Sequence, residues 1–182
     1  ALEGETVRAW LPIAAACRQQ SQVGILDITP DGAVAPEDVS ARTASWASST
    51  ERSFSVTYRY RIDAAYCDVY GGALPSHPCM DTLLPEDTSE DRPHIAFTPY
   101  LQQLTARVID GLEDPLDRAR AIYDYLTQHI DYRYQPPYLL LGSIADDCAH
   151  SLRGDCGVMA LTFITMCRIA GVPARWQSGL YV

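Results

Sequence analysis

The stretch from Arg153 to Arg175 reads RGDCGVMALTFITMCRIAGVPAR and decides the fold of this chain. Its middle part is apolar on nearly every side, and two threonines and one arginine form its only polar stripe. A helix with this pattern lies inside a domain rather than on its surface. Gly171 suits the position just after a helix, and the proline two residues later stops it. The pattern therefore predicts a buried helix from about Asp155 to Ala170.

Cys156 stands at the predicted start of this helix, between Gly154 and Gly157. The first N–H groups of a helix lack partners, and the helix dipole places partial positive charge there. Both effects favour a thiolate over a thiol. The two glycines leave room for an acyl group, and the backbone N–H of the cysteine could help to hold an oxyanion. Cys156 is therefore the candidate nucleophile, and the alternative is a small buried apolar residue.

Two more helices are predicted upstream, because each begins with a capping residue followed by proline. The first runs from Thr98-Pro99 to about Asp110, and the second from Asp114-Pro115 to near His129. The tyrosine- and proline-rich residues 131–137 are expected to be extended, and residues 139–153 to be irregular. The last residues, 175–182, alternate as a strand does.

The N-terminal part has a different period. From Phe54 to Ile62 apolar and polar residues alternate, which is typical of a half-exposed antiparallel strand. Shorter runs at 7–11, 23–28 and 43–48 add to a small antiparallel layer. We therefore expect an α+β chain with three parts: an accessory β region over 1–62, a loop or linker over 63–97 and a largely helical core over 98–182.

Residues 132–179 resemble the transglutaminase-like core of bacterial thiol enzymes. The resemblance rests on the Asp131-Tyr132-Arg133-Tyr134 segment, on Arg153-Gly154-Asp155-Cys156-Gly157, and on the stretch from Cys167 to Arg175 with Gly179. It implies a papain-like fold in which the nucleophilic cysteine opens the central helix. It also implies that Cys156 attacks an amide carbonyl and forms a thioester, which water hydrolyses or an amine intercepts.

The resemblance also implies a histidine and an aspartate on strands that follow the Pro-Ala-Arg segment. The sequence ends at Val182, and all four histidines precede Cys156 in positions that do not match the family. We therefore expect this chain to carry the nucleophile without its partners. It should be inactive alone, and its last strand is expected to invite self-association. His150 is the histidine nearest in sequence, and we interpret it as a loop residue.

Composition limits the partners. The net charge is −9 and no basic cluster is present, which argues against nucleic acid and anionic membrane surfaces. Cys148, His150 and Cys156 lack the paired spacing of a zinc site, so we predict no metal and no cofactor. Cys67 and Cys79 bracket a Gly/Pro-rich stretch, and whether they form a disulfide stays open. The compartment also stays open, with an extracytoplasmic one preferred.

Two functions from different classes follow. The first is a cysteine-nucleophile amide hydrolase, a peptidase or amidase acting on peptide or protein amides, with acyl transfer as a variant of the same chemistry. The alternative is a non-catalytic binding or structural module with a degenerate core. Tyr132, Tyr134 and Tyr138 either line a substrate groove or form an aromatic edge of the core.

Overall fold

The computed structural model describes residues 5–16, 20–37, 39, 42–64 and 84–176. The described residues fall into two compact units, one within residues 5–64 and the other over residues 84–176. The described strands of the first unit precede the helices of the second, which confirms the predicted α+β class. No helix in the described ranges is long and apolar enough to span a bilayer.

The first unit contains two small antiparallel sheets. Its strands are β1 (Val7–Pro12), β2 (Gln20–Thr29), β3 (Ala33–Val34), β4 (Thr43–Ser48) and β5 (Ser55–Ile62). One sheet has the order β1-β4-β3 and the other pairs β2 with β5. Trp46 lies in the core of this unit, and its indole N–H donates a 2.7 Å hydrogen bond to the carbonyl of Pro30. The unit is thus organised around a buried aromatic residue whose polar atom is satisfied.

The second unit is built from four helices and two short strands. They are α1 (Pro99–Val108), α2 (Pro115–His129), β6 (Asp131–Tyr132), α3 (Ile144–Ser151), β7 (Arg153–Gly154) and α4 (Cys156–Ile169). The caps explain where α1 and α2 begin. The Thr98 side chain accepts from the N–H of Leu101, and the Asp114 side chain accepts from the N–H of Leu116. All four helices contribute buried side chains to one core.

Helix α3 corrects the expectation that residues 139–153 are irregular. The helix follows an N-cap at Ser143 and ends at Leu152, which adopts a left-handed conformation with φ of 53°. Its apolar residues are buried on one face: Ile144, Ala145, Cys148 and Ala149. The sequence pattern was too short to display a helical period, and packing on α4 stabilises the helix instead. His150 therefore lies on a helix rather than in a loop.

The polar stripe of α4 is buried rather than solvent-exposed. The hydroxyls of Thr162 and Thr165 donate to the carbonyls one turn earlier, each at 2.8 Å. The buried Arg168 donates to the carbonyls of Ala174 and Ser89. Each of these three side chains has a backbone partner, so burial leaves none of them unsatisfied.

Residues 84–97 lie with the second unit, although the sequence analysis assigned them to the linker. Pro85–Thr88 forms a short 3-10 helix in which Asp87 is buried. The Oδ2 atom of Asp87 lies 3.2 Å from Nη2 of Arg175. The backbone carbonyl of Asp87 accepts a hydrogen bond from the N–H of Ala174. The segment is therefore tied to the residues that follow α4. Residues 177–182 and the pair Cys67 and Cys79 lie outside the described residues, so the last strand stays a prediction and the question of a disulfide stays open.

We predict that Ile122→Ala lowers the free energy of unfolding of the second unit by about 2–5 kcal/mol. Ile122 is fully buried in the core, so truncation removes apolar contacts and leaves a cavity. Guanidinium denaturation followed by the far-UV circular dichroism of the helices measures the change. Leu139→Ala is the control because 83% of the Leu139 side chain is exposed. Equal losses in the two variants would contradict this account of the core.

Candidate active site

The thiol of Cys156 is exposed at the first residue of α4. Asp155 is the N-cap, and its Oδ1 atom accepts a 3.0 Å hydrogen bond from the N–H of Val158. This bond satisfies one of the free N–H groups of the first turn. The predicted nucleophile therefore stands where the helix dipole places partial positive charge, with a regular helix behind it.

A pair of short parallel strands fixes the residues just before the candidate nucleophile. Tyr132 of β6 lies opposite Gly154 of β7, and the N–H of Arg133 donates to the carbonyl of Gly154 at 2.9 Å. The N–H of Asp131 donates to the carbonyl of Leu152 at the same distance. The backbone is thus held on one side by β6 and on the other by the first turn of α4.

The structure corrects the predicted role of both glycines. A Cβ on Gly154 would lie 2.8 Å from Cγ1 of Val158, and a Cβ on Gly157 would lie 2.5 Å from the hydroxyl of Tyr138. Both distances are too short for a side chain. The two glycines therefore allow close packing within the protein, and the space beside them is already filled rather than open to an acyl group.

Tyr138 is the site residue whose position the sequence analysis did not determine. Its hydroxyl donates a 2.5 Å hydrogen bond to Oδ1 of Asp155, across 17 residues of sequence. Partial burial of the phenol, followed by the hydrogen bond and the negative charge of Asp155, raises the pKa of Tyr138 to about 12. The thiol of Cys156 adds to the same shift, which places the phenol within electrostatic reach of the candidate nucleophile.

The other described thiols have a different environment. Cys148 and Cys167 are buried in the core. Burial raises the pKa of Cys148, and it raises the pKa of Cys167 to about 12. The thiolate is the reactive form, so both thiols are chemically inert near neutral pH. Cys17, Cys67 and Cys79 lie outside the described residues. Within the described part, no three potential ligand side chains lie close enough together to hold a metal ion.

The described histidines have other neighbours. His150 stacks on Tyr100 at 3.9 Å between ring centroids, and its Nε2 lies 3.7 Å from a carboxylate oxygen of Asp146. His129 stacks on Tyr125 at 4.4 Å. Across residues 84–176 no hydrogen bond or ion pair connects a histidine to Cys156. His77 lies outside the described residues.

Comparison with known proteins supports the assignment of the fold. Residues 102–182 match the transglutaminase-like superfamily. A crystal structure described as a putative cysteine protease from Cytophaga hutchinsonii aligns with a TM-score of 0.57 at 15% identity, covering 92% of this chain and 62% of that one. The chain thus spans about three fifths of the length of that structure. A search of curated proteins found no match.

These findings support a transglutaminase-like core in the C-terminal part of the chain, and antiparallel β structure precedes it. The superfamily match supports a cysteine-based enzyme at the level of the superfamily. The resemblance stated from the sequence motifs is therefore confirmed.

We predict that iodoacetamide modifies Cys156 at least about a hundred times faster than Cys148 or Cys167 at pH 8. At that pH a buried thiol with a pKa of about 12 holds roughly one part in ten thousand as thiolate. Cys156 is exposed, so the reagent can reach its sulfur atom. Peptide mass spectrometry of the folded chain over time gives all three rates, and unfolding in urea should make them similar. Similar rates in the folded chain would contradict the assignment.

We predict that Gly157→Ala destabilises the second unit by roughly 1–3 kcal/mol, although alanine is the better helix former. The new methyl group collides with the hydroxyl of Tyr138. The measurement is the midpoint of denaturation. In a Tyr138→Phe background the shortest contact disappears, so the same substitution should cost less. An unchanged cost in that background would show that the phenol is not the obstacle.

Proposed function

We propose that Cys156 is the nucleophile of an amide hydrolase, a peptidase or amidase that acts on peptide or protein substrates. The observation that carries the proposal is the exposed thiol at the first residue of α4, in a core of the transglutaminase-like class. An exposed thiol at a helix N-terminus has both the access and the local positive potential that a thiolate nucleophile needs.

The proposed reaction has two steps. The sulfur of Cys156 bonds to the carbonyl carbon, the carbon–nitrogen bond breaks, and the nitrogen leaves as an amine after it takes up a proton. Water then adds to the thioester and releases the acid together with the free thiol. If an amine takes the place of water, the product is a new amide, so hydrolysis and acyl transfer share the first step.

Proton transfer needs a base that the described residues do not bring to the thiol. We propose that a histidine and an orienting aspartate outside residues 84–176 complete the site, as the family resemblance implies. If both of these groups lie outside the 182 residues, the chain shows no amide turnover by itself.

Peptide substrates are favoured by the surface next to the nucleophile. The segment before α3 exposes Tyr132, Tyr134, Leu139 and Leu140, between 66% and 91% of each side chain. The segment lies beside the nucleophile, because Tyr132 pairs with Gly154 and Tyr138 lies over Gly157. Exposed aromatic and apolar side chains of this kind are common where proteins bind other chains.

We predict that Cys156→Ala abolishes hydrolysis of fluorogenic peptide amides by the full-length gene product, with a loss of at least about a thousandfold. Cys148→Ala is the matched control, since that buried thiol has no proposed role in the reaction and should leave turnover within a fewfold of wild type. Circular dichroism verifies that both variants fold.

The same assay separates the proposal from its alternative. A binding module would bind peptides equally well as the wild-type protein and as the Cys156→Ala variant, and neither form would show thiol-dependent turnover. Full turnover by the Cys156→Ala variant would refute the nucleophile. Normal turnover by the 182-residue chain as a monomer in light scattering would refute the expectation of inactivity and self-association.

A further inference from the structure

One carboxylate oxygen holds the turn that carries Cys156. Oδ1 of Asp155 accepts from the N–H of Val158 at 3.0 Å and from the hydroxyl of Tyr138 at 2.5 Å. The first bond closes the helix start, and the second connects that start to a distant segment of the chain. Of the two donors, the phenol alone is a side chain, and it can be altered without changing the backbone.

We infer that Tyr138 is a positioning residue for Cys156, which it serves by holding the carboxylate of Asp155 against the first turn of α4. The inference rests on the proposed function and deepens it, because it assigns a role in the same site to a residue outside the nucleophile motif.

The phenol is itself held at both ends. Its backbone lies in a short 3-10 helix, Tyr138–Leu140, in which the N–H of Leu140 donates to the carbonyl of Pro137 at 2.9 Å. Its hydroxyl fills the space above Gly157, where a Cβ would lie only 2.5 Å from it. A side chain fixed in this way offers a donor in a constant place, which is what positioning requires.

Asp155 carries a negative charge next to a sulfur that must also become negative. A carboxylate that accepts two hydrogen bonds has its charge partly compensated and directed at those donors. Without the phenol hydroxyl, the carboxylate keeps its charge with one donor fewer and opposes the thiolate more strongly. The other ionisable side chains of the adjoining strands include Tyr132 on β6 and Arg153 on β7, and Tyr132 interacts electrostatically with Tyr138 itself. Asp131, also on β6, forms an ion pair with Arg133.

The test is the rate at which iodoacetamide modifies Cys156 in Tyr138→Phe, measured from pH 6 to pH 10. The substitution removes only the hydroxyl and leaves the ring over Gly157. We expect a roughly tenfold lower rate at pH 7 and a rate within about twofold of wild type at pH 10. Tyr134→Phe on the same segment is the control, because 91% of Tyr134 is exposed. Its whole profile should match wild type.

A second background tests whether the effect passes through Asp155. In Asp155→Asn the negative charge is gone, so Tyr138→Phe should change the rate by less than about twofold. A tenfold loss in both backgrounds would show direct action on the thiol and overturn the inference. Gly157→Ala displaces the hydroxyl without removing it and should reproduce the loss. A wild-type profile in either Gly157→Ala or Tyr138→Phe would likewise overturn it.

The readout needs no substrate, so the inference and the proposed function fail separately. If wild-type Cys156 reacts no faster than glutathione at pH 7, the nucleophile proposal fails, and the inference that rests on it fails with it. If wild-type Cys156 reacts faster and Tyr138→Phe matches it, only the inference fails. Cys148 and Cys167 serve as internal monitors, since a general loss of structure would expose them, whereas a positioning effect leaves them unreactive.

Discussion

The carboxylate of Asp155 is the constraint on which the candidate site depends. Asp155 follows β7 and is the N-cap of α4. Its Oδ1 atom accepts hydrogen bonds from the N–H of Val158 and from the hydroxyl of Tyr138, so one oxygen atom connects the helix start to a distant segment. A helix start without such a cap frays, because its first N–H groups have no partner. Fraying here would displace Cys156 itself, since the cysteine is the first residue of the helix. The precision of the site is therefore set by a single N-cap.

The far end of α4 is fixed by cations instead. The buried guanidinium of Arg168 bonds to the carbonyls of Ala174 and Ser89, and Arg175 pairs with the buried carboxylate of Asp87. These contacts join the residues after the helix to a segment more than seventy positions earlier in the chain. Arg168 and Arg175 thus have a structural role, because their contacts close the core around the helix that carries the thiol of Cys156.

Sequence reasoning succeeded where the signal is local. Proline after a capping residue located α1 and α2, and a nearly all-apolar run located α4 and its cysteine. It failed for α3, whose eight residues derive their stability from packing rather than from their own periodicity. It also misinterpreted Gly154 and Gly157. A glycine in the sequence indicates that a side chain would not fit there, but it does not reveal which neighbouring group occupies the space. The contact of Tyr138 could not be predicted either, because its hydrogen bond to Asp155 spans 17 residues and depends on how the chain folds between them.

The contacts that hold Cys156 come from residues 131–158, a short piece of one compact unit. A thiol needs no more than this to be presented at a helix start, and its reactivity with a small reagent follows from exposure and local potential. Amide cleavage asks for more, because a leaving amine must receive a proton from a positioned acid. Nucleophilicity and turnover are therefore separable properties here. On the proposed function, the first is encoded within the described unit, whereas the second needs a base that the described residues do not bring to the thiol.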